Sequence, residues 1–268
     1  MHVSSSTSID EERQAQRPWR LRPECRKVDW FDLLLSGEFA PADDQTRHTA
    51  AALREVLNRA VRHVPYYATT FAAQGVDAGR VRSPADLPRL PILTRDVLQS
   101  QSEALVARSL PKGHRALHYT ATSGSTGQPV SVLQTNVSAR VFALLKQREY
   151  RWFRFDPSKK LGIIREFEEL QDESGEAPAT ETFFSDRWRV VGDLFHTGPC
   201  VSCAYTKPLD DQVCWLAEQR PDYLVSMSAT LEHLALGHQE TEPPDNLKGV
   251  LAISQQLTPV MRRRIERR

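Results

Sequence analysis

No apolar run in these 268 residues approaches the roughly 18 needed to cross a bilayer, and no membrane partner is expected. An excess of one charge is lacking too: 35 Lys and Arg face 34 Asp and Glu, a formal net charge of +1. So close a balance sets up no field suited to a nucleic acid or an anionic membrane surface, and no nucleic acid is expected as a partner. The one basic cluster, MRRRIERR at 261–268, reads as the solvated end of a helix. The N-terminus, MHVSSSTSIDEERQAQRPWR, has neither the apolar core of a secretory signal nor the acid-poor composition of a transit peptide, which leaves the cytoplasm as the expected location. Cysteine is scarce: Cys25, Cys200, Cys203 and Cys214, expected to be reduced thiols in that compartment. His196, Cys200, Cys203 and Cys214 are zinc-ligand types close together in sequence. PCVSCAY reads as a strand, however, and LDDQVCWLAEQR as a helix. Packing is the reading for these cysteines, and no metal site is assigned.

Internal repeats and low-complexity tracts are absent, and so are two nucleotide signatures. No G-x-G-x-x-G opens a helix, which excludes a Rossmann fingerprint, and no G-x-x-x-x-G-K-[ST] is present. What the chain does have is HYTATSGSTGQPVSVLQT at 118–135, where Thr122, Ser123, Gly124, Ser125, Thr126 and Gly127 lie between β-formers. Glycines let backbone N–H groups approach a phosphate unobstructed, and hydroxyls add rotatable donors. Gln128 and Pro129 follow where a Walker A loop would place Lys and a helix. From composition alone the segment serves equally well as a polar hairpin loop.

Around this loop the pattern reads as α/β. Residues 1–18 read as a flexible leader and 19–268 as one incomplete domain. Apolar spacing predicts a helix over 46–63 stopped by Pro65, then a short helix ending near Gly75. A Pro-punctuated connector follows, with Thr94 as N-cap of a helix from Arg95. The loop is read as strand–loop–strand, followed by a helix over 136–153. LQDESGEAPATE, between later elements, is an acidic flexible loop. Its run of Glu166, Glu168, Glu169, Asp172, Glu173 and Glu176 reads as solvated charge rather than an acid/base pair. Strands KKLGIIRE, GPCVSCAYT, DYLVSM and LKGVLAIS come with helices over 209–219, 229–237 and 258–267. This alternation predicts a parallel sheet with helices on its faces. His118 reads as a strand residue and His196 as an ordinary loop or partly buried histidine.

TSGSTGQP with its flanking strands resembles the phosphate-binding signature of the adenylate-forming (AMP-binding) superfamily. Further segments, in order, are similar to the phenylacetate–CoA ligase family and its relatives from capsular polysaccharide and coenzyme F390 loci. These are VPYYATTFAAQGVD, LPRLPILTRDVLQ, YRWFRFDP, LAEQRPDYLVSMSATLEHLA and LKGVLAISQQLTPVMRRRIER, and the likeness runs from about residue 50 to the C-terminus. The resemblance implies activation of a small-molecule carboxylic acid with ATP and Mg²⁺, giving an acyl adenylate, then transfer to coenzyme A. It implies that Thr122 to Gly127 grip the ATP β- and γ-phosphates. Gln128 stands where some relatives have Lys.

The chain also departs from that family. Met227-Ser228-Ala229 replaces Tyr-Pro-Ser, and Ser254-Gln255-Gln256 replaces a segment whose middle residue is an acid, so Gln255 carries no charge. The family's later YG-x-[ST]-E segment, ribose-binding Asp and adenylating Lys have no counterpart here. The resemblance therefore implies the N-terminal portion of such an enzyme, partnered by a separate C-terminal half or a second copy. Its last strand, near Val250 to Ser254, is expected to leave an unpaired edge or an exposed apolar face. A catalytically inactive nucleotide-binding or interaction module is the alternative.

Overall fold

A computed structural model describes residues 19, 20, 22, 37–121, 129–165, 182–237 and 242–267. The chain divides into two compact units, Val28–Phe142 and Met1–Lys27 with Ala143–Arg268.

The unit Val28–Phe142 opens with α1 (Ala42–His63). This helix begins four residues before the position its apolar stripe predicts. Asp43 and Asp44 fall in its first turn and Arg62 and His63 in its last, charges that complement the helix dipole and extend the helix past its apolar stripe. Val64 is extended, as a residue before proline favours, and Pro65 starts α2 (Pro65–Ala73). Gly75, at φ +65°, takes the chain out of α2 in a conformation that glycine adopts without Cβ strain. Leu57, Phe71 and Val81 are the buried centre of this unit, with Leu53, Val61, Val76 and Leu90 packed around them. Thr94 caps α3 (Arg95–Ser100), its hydroxyl accepting from the Val97 N–H at 3.4 Å. A hairpin of β1 (Ala116–Ala121) and β2 (Ser131–Thr135) follows.

Helix α4 (Asn136–Trp152) runs from the hairpin into the other unit, where Leu144, Gln147 and Tyr150 are buried. That unit is built on a five-stranded sheet ordered β4-β5-β3-β6-β7. Four strands are parallel: β3 (Leu161–Arg165), β5 (Cys200–Ala204), β6 (Tyr223–Met227) and β7 (Gly249–Ile253). The fifth, β4 (Thr182–Ser185), runs antiparallel along β5 and was not anticipated from the sequence. β7 is one of the two outer strands of the described sheet, with β4 at the other edge, and its Val250 is exposed.

Alternation sends successive side chains to opposite faces of this sheet. On one face Ile164, Val201, Cys203 and Leu224 pack against α5 (Leu209–Gln219) through Trp215 and Leu216. Leu231 of α6 (Ser228–Gly237) and Ile265 of α7 (Pro259–Glu266) complete that layer. On the other face Tyr223 stacks on Phe155 with ring centroids 4.0 Å apart. Trp188, fully buried, packs edge-on to Trp19, Tyr150, Phe155 and Tyr223, and its Nε1–H donates to the Lys159 carbonyl at 2.8 Å. Gly198 lies against this turn. A Cβ there would sit 2.6 Å from the Ser158 and Lys159 carbonyl oxygens, so only glycine fits.

Candidate functional site

Thr122, Ser123, Gly124, Ser125, Thr126 and Gly127, with Gln128, lie outside the described residues. The strands on either side are described. β1 and β2 pair antiparallel, with Ala121 opposite Ser131 and Thr120 opposite Val132, so the segment between them joins the two arms of a hairpin. A Walker A loop instead joins a strand to a helix. The base of the hairpin is tied by Asn136. Its Oδ1 accepts from the Arg115 N–H at 2.7 Å, its N–H donates to the Arg115 carbonyl at 3.0 Å, and its Nδ2 donates to the Gly113 carbonyl at 3.2 Å. His118 is an exposed residue of β1.

A second feature lies in the sheet-bearing unit, where the carboxyl ends of β5, β6 and β7 meet the starts of α5 and α6. Crevices at this end of an open α/β sheet are where ligands bind. A pocket of about 330 Å³ opens there, lined by Lys207 and Gln212 beyond β5, by Met227, Thr230 and His233 around the start of α6, and by Gln255 after β7. Sequence reading had no period or motif with which to find Lys207, Gln212 and His233. Their only signal was position, a step beyond each predicted strand.

Hydrogen bonds fix the frame of this pocket. The Gln212 Nε2 donates to the carbonyls of Tyr205 at 2.9 Å and Lys207 at 2.8 Å. Two carbonyl partners determine which end of the amide is nitrogen. The buried Gln212 Oε1 is then an acceptor without a partner among the described residues. Across the pocket, the Gln255 Oε1 accepts from the Ala229 N–H at 3.1 Å, and the Ser228 hydroxyl donates to the Gln255 carbonyl at 3.1 Å. Gln255 thus ties the turn after β7 to the first turn of α6. Ser254 in that turn sits at φ +63°, a left-handed conformation costly to a residue with a Cβ, which these bonds hold in place.

The opposite ends of β3, β6 and β7 are tied by Asp222, Lys160 and Lys248. The Asp222 Oδ2 accepts from the Lys160 N–H at 3.0 Å, and Lys248 Nζ lies 2.9 Å from Oδ1. Burial pushes the Asp222 carboxyl up, but the Lys248 and Lys160 hydrogen bonds outweigh it and hold the group below its ordinary value. Lys160 Nζ donates to the Gln219 carbonyl at 2.5 Å, and burial lowers its pKa. On the aromatic face burial raises the Tyr150 hydroxyl and the Cys200 thiol, keeping both neutral. These groups serve structure. Among the described residues, Lys207, His233 and Tyr205 are the ionisable ones that line the pocket.

Cys200 and Cys203 are buried in β5, three residues apart and therefore on opposite faces of the sheet. Cys214 differs from the packing expectation, being exposed on α5. His196 is exposed, its N–H donating to the Arg20 carbonyl at 2.9 Å. Among the described residues no group of three or more His, Cys, Asp and Glu is placed to hold a metal ion. No described helix is long and apolar enough to cross a membrane. The acidic run from Glu166 to Glu176 lies outside the described residues.

No protein-family model and no curated protein matches the chain. Solved structures do. A 2-hydroxyisobutyryl-CoA ligase in the postadenylation state with 2-HIB-AMP is similar over 87% of this chain and 49% of the ligase, at 17% identity and a TM-score of 0.63. The same ligase in an open conformation with 2-HIB-AMP and CoA gives 87% and 53% coverage, 18% identity and a TM-score of 0.66. In the thioesterification state, with 2-HIB-AMP and CoA, the values are 87% and 48%, 19% and 0.61. The chain has the α/β fold of part of such a ligase and spans about half the length of the ligases it matches.

Proposed function

We propose that this chain takes part in ATP-dependent activation of a carboxylic acid, as the N-terminal part of an enzyme of the phenylacetate–CoA ligase type. The fold carries this reading: nearly nine-tenths of the chain follows ligases solved with an acyl-AMP and CoA. The hairpin at 116–135 adds support, because it sets the Thr122–Gly127 segment between two paired strands. The acid's carboxylate oxygen attacks the α-phosphorus of ATP. The bond from that phosphorus to the β-phosphate oxygen breaks, pyrophosphate leaves, and an acyl adenylate remains. Attack of the CoA thiolate on the acyl carbon then expels AMP.

Within this scheme the hydroxyls and backbone N–H groups of Thr122, Ser123, Gly124, Ser125, Thr126 and Gly127 hold the β- and γ-phosphates and take up charge as pyrophosphate forms. Gln128 contributes no positive charge there. Mg²⁺ on the phosphates would have to supply more of that compensation, because the hydroxyl and N–H donors of Thr122–Gly127 are neutral.

One observation favours a second reading, an inactive nucleotide-binding module. Gln255 stands where the resembling family has an acid, and its Oε1 is committed to the Ala229 N–H. Titration calorimetry with Mg·ATP tests the shared part of both readings. The wild-type chain should bind, and Ser125→Ala with Thr126→Ala should weaken binding roughly tenfold. Equal affinity in the double variant would remove the loop from the function. Pyrophosphate release on adding acid, measured with the C-terminal half supplied, then separates the readings, since an inactive module binds Mg·ATP without releasing pyrophosphate.

A further inference from the structure

Charge in this chain is balanced overall but not locally. From residue 104 to 148 there is no Asp or Glu, although the chain has 34 of them. Arg108, Lys112, Arg115 and Arg140 fall in that span, and the fold brings Arg62 of α1 to them. All five are exposed residues of the Val28–Phe142 unit. None of their side chains has a hydrogen bond or ion pair among the described residues. Glu103, which bounds the span in sequence, and Glu55, two turns before Arg62 on α1, pair with none of the five. Glu149, at the other bound, is taken by Lys146.

Two sets of hydrogen bonds fix where these cations sit. In the first, the Arg108 N–H donates to the His63 carbonyl at 2.7 Å, and Ser109 Oγ lies 2.8 Å from His63 Nδ1. Arg59 Nη2 donates to the Ser109 carbonyl at 3.3 Å. Arg108 is thereby laid beside the last turn of α1, which carries Arg62. In the second, Asn136 holds Gly113 and Arg115. Arg140 follows Asn136 by one turn on the same face of α4, and Lys112 adjoins Gly113. The four residues from Ser109 to Gly113 span at most about 14 Å, so both sets belong to one surface.

That surface is not purely basic. Leu117 and Tyr119 of β1 are 43% and 58% exposed just beyond Arg115, and Val56 of α1 is 63% exposed. Exposed apolar groups beside unpaired arginines are the composition of a protein contact. Arginine forks match carboxylates in pairs, and a phosphate backbone alone would leave the apolar groups uncovered. We propose that this surface, at the end of α1 and the base of the β1–β2 hairpin, docks an acidic segment of a partner protein whose carboxylates are interspersed with apolar side chains. The docking stands independently of the acid-activation reading.

A fluorescein-labelled peptide of Glu-Glu-Leu repeats tests it by fluorescence anisotropy on the whole chain, beside a Gln-Gln-Leu peptide and a DNA duplex. The Glu peptide should bind and the Gln peptide should not. Arg62→Glu with Arg108→Glu should weaken binding roughly tenfold, and Arg115→Glu with Arg140→Glu should do the same. Arg263→Glu with Arg267→Glu, at exposed positions at the end of α7, changes net charge equally and should leave binding as it is. Circular dichroism checks that each variant is folded, and because the two patch pairs sit on different sets of hydrogen bonds, misfolding of one leaves the other as the test. No binding of the Glu peptide, equal binding of both peptides, a loss in the α7 pair as large as in the patch pairs, or tighter binding of the DNA duplex would overturn the proposal.

Discussion

Asp222 shows how one side chain can tie a parallel sheet together. It accepts from the Lys160 N–H at the start of β3 and pairs with Lys248 just before β7. Its own carbonyl accepts from the Lys248 N–H at 2.7 Å. Because the folded carboxyl is held below its ordinary value near 3.8, the unfolded chain binds the proton more readily. The stabilisation is therefore full above that ordinary value and is lost as pH falls through the depressed folded one. Asp222→Asn should cost about 1 kcal/mol at neutral pH by urea denaturation. The deficit against wild type should shrink below about pH 4, and a deficit constant across that range would show that the charge is not what holds these strands.

At the scale of elements, the aromatic layer stabilises the sheet face opposite α5, α6 and α7. Trp188 is fully buried among Trp19, Tyr150, Phe155 and Tyr223. Trp188→Ala opens a cavity and removes the bond to the Lys159 carbonyl, so it should cost roughly 3–5 kcal/mol, read as a lower urea midpoint by circular dichroism. A loss under about 1 kcal/mol would mean that the layer relaxes around the gap. This layer was the least legible part of the fold. Elements with local signals were plain in the sequence: α3 behind its Thr94 cap, α7 behind Thr258 and Pro259, and the strands Leu161–Arg165 and Tyr223–Met227 as short apolar runs. The segment Trp188–Phe195 buries its large side chains through turns, with no helical or strand period to reveal it. β4 has four residues and an exposed Phe184, too short and too mixed to stand out. The pocket escaped notice for a related reason. Lys207 with Gln212, His233 and Gln255 come from three separate stretches, and only the crossovers between parallel strands bring them together.

At the scale of the whole molecule, the chain has two units, each with a candidate functional feature. The Val28–Phe142 unit carries the hairpin with its Thr-Ser-Gly-Ser-Thr-Gly connection, and the sheet-bearing unit carries the basic pocket. The loop is conspicuous in the sequence, but its residue types suit a phosphate and a polar hairpin connection equally, and the resemblance to the adenylate-forming signature is what implies phosphate. The chain covers about half the length of the ligases it resembles in fold. The central claim is that residues 122–127 hold the β- and γ-phosphates of ATP. Hydrogen–deuterium exchange of peptides spanning 119–131, with Mg·ATP and with AMP, measures this directly. Exchange should slow in these peptides with Mg·ATP and stay unchanged with AMP, which lacks both phosphates; no slowing with Mg·ATP, or equal slowing with AMP, would contradict it.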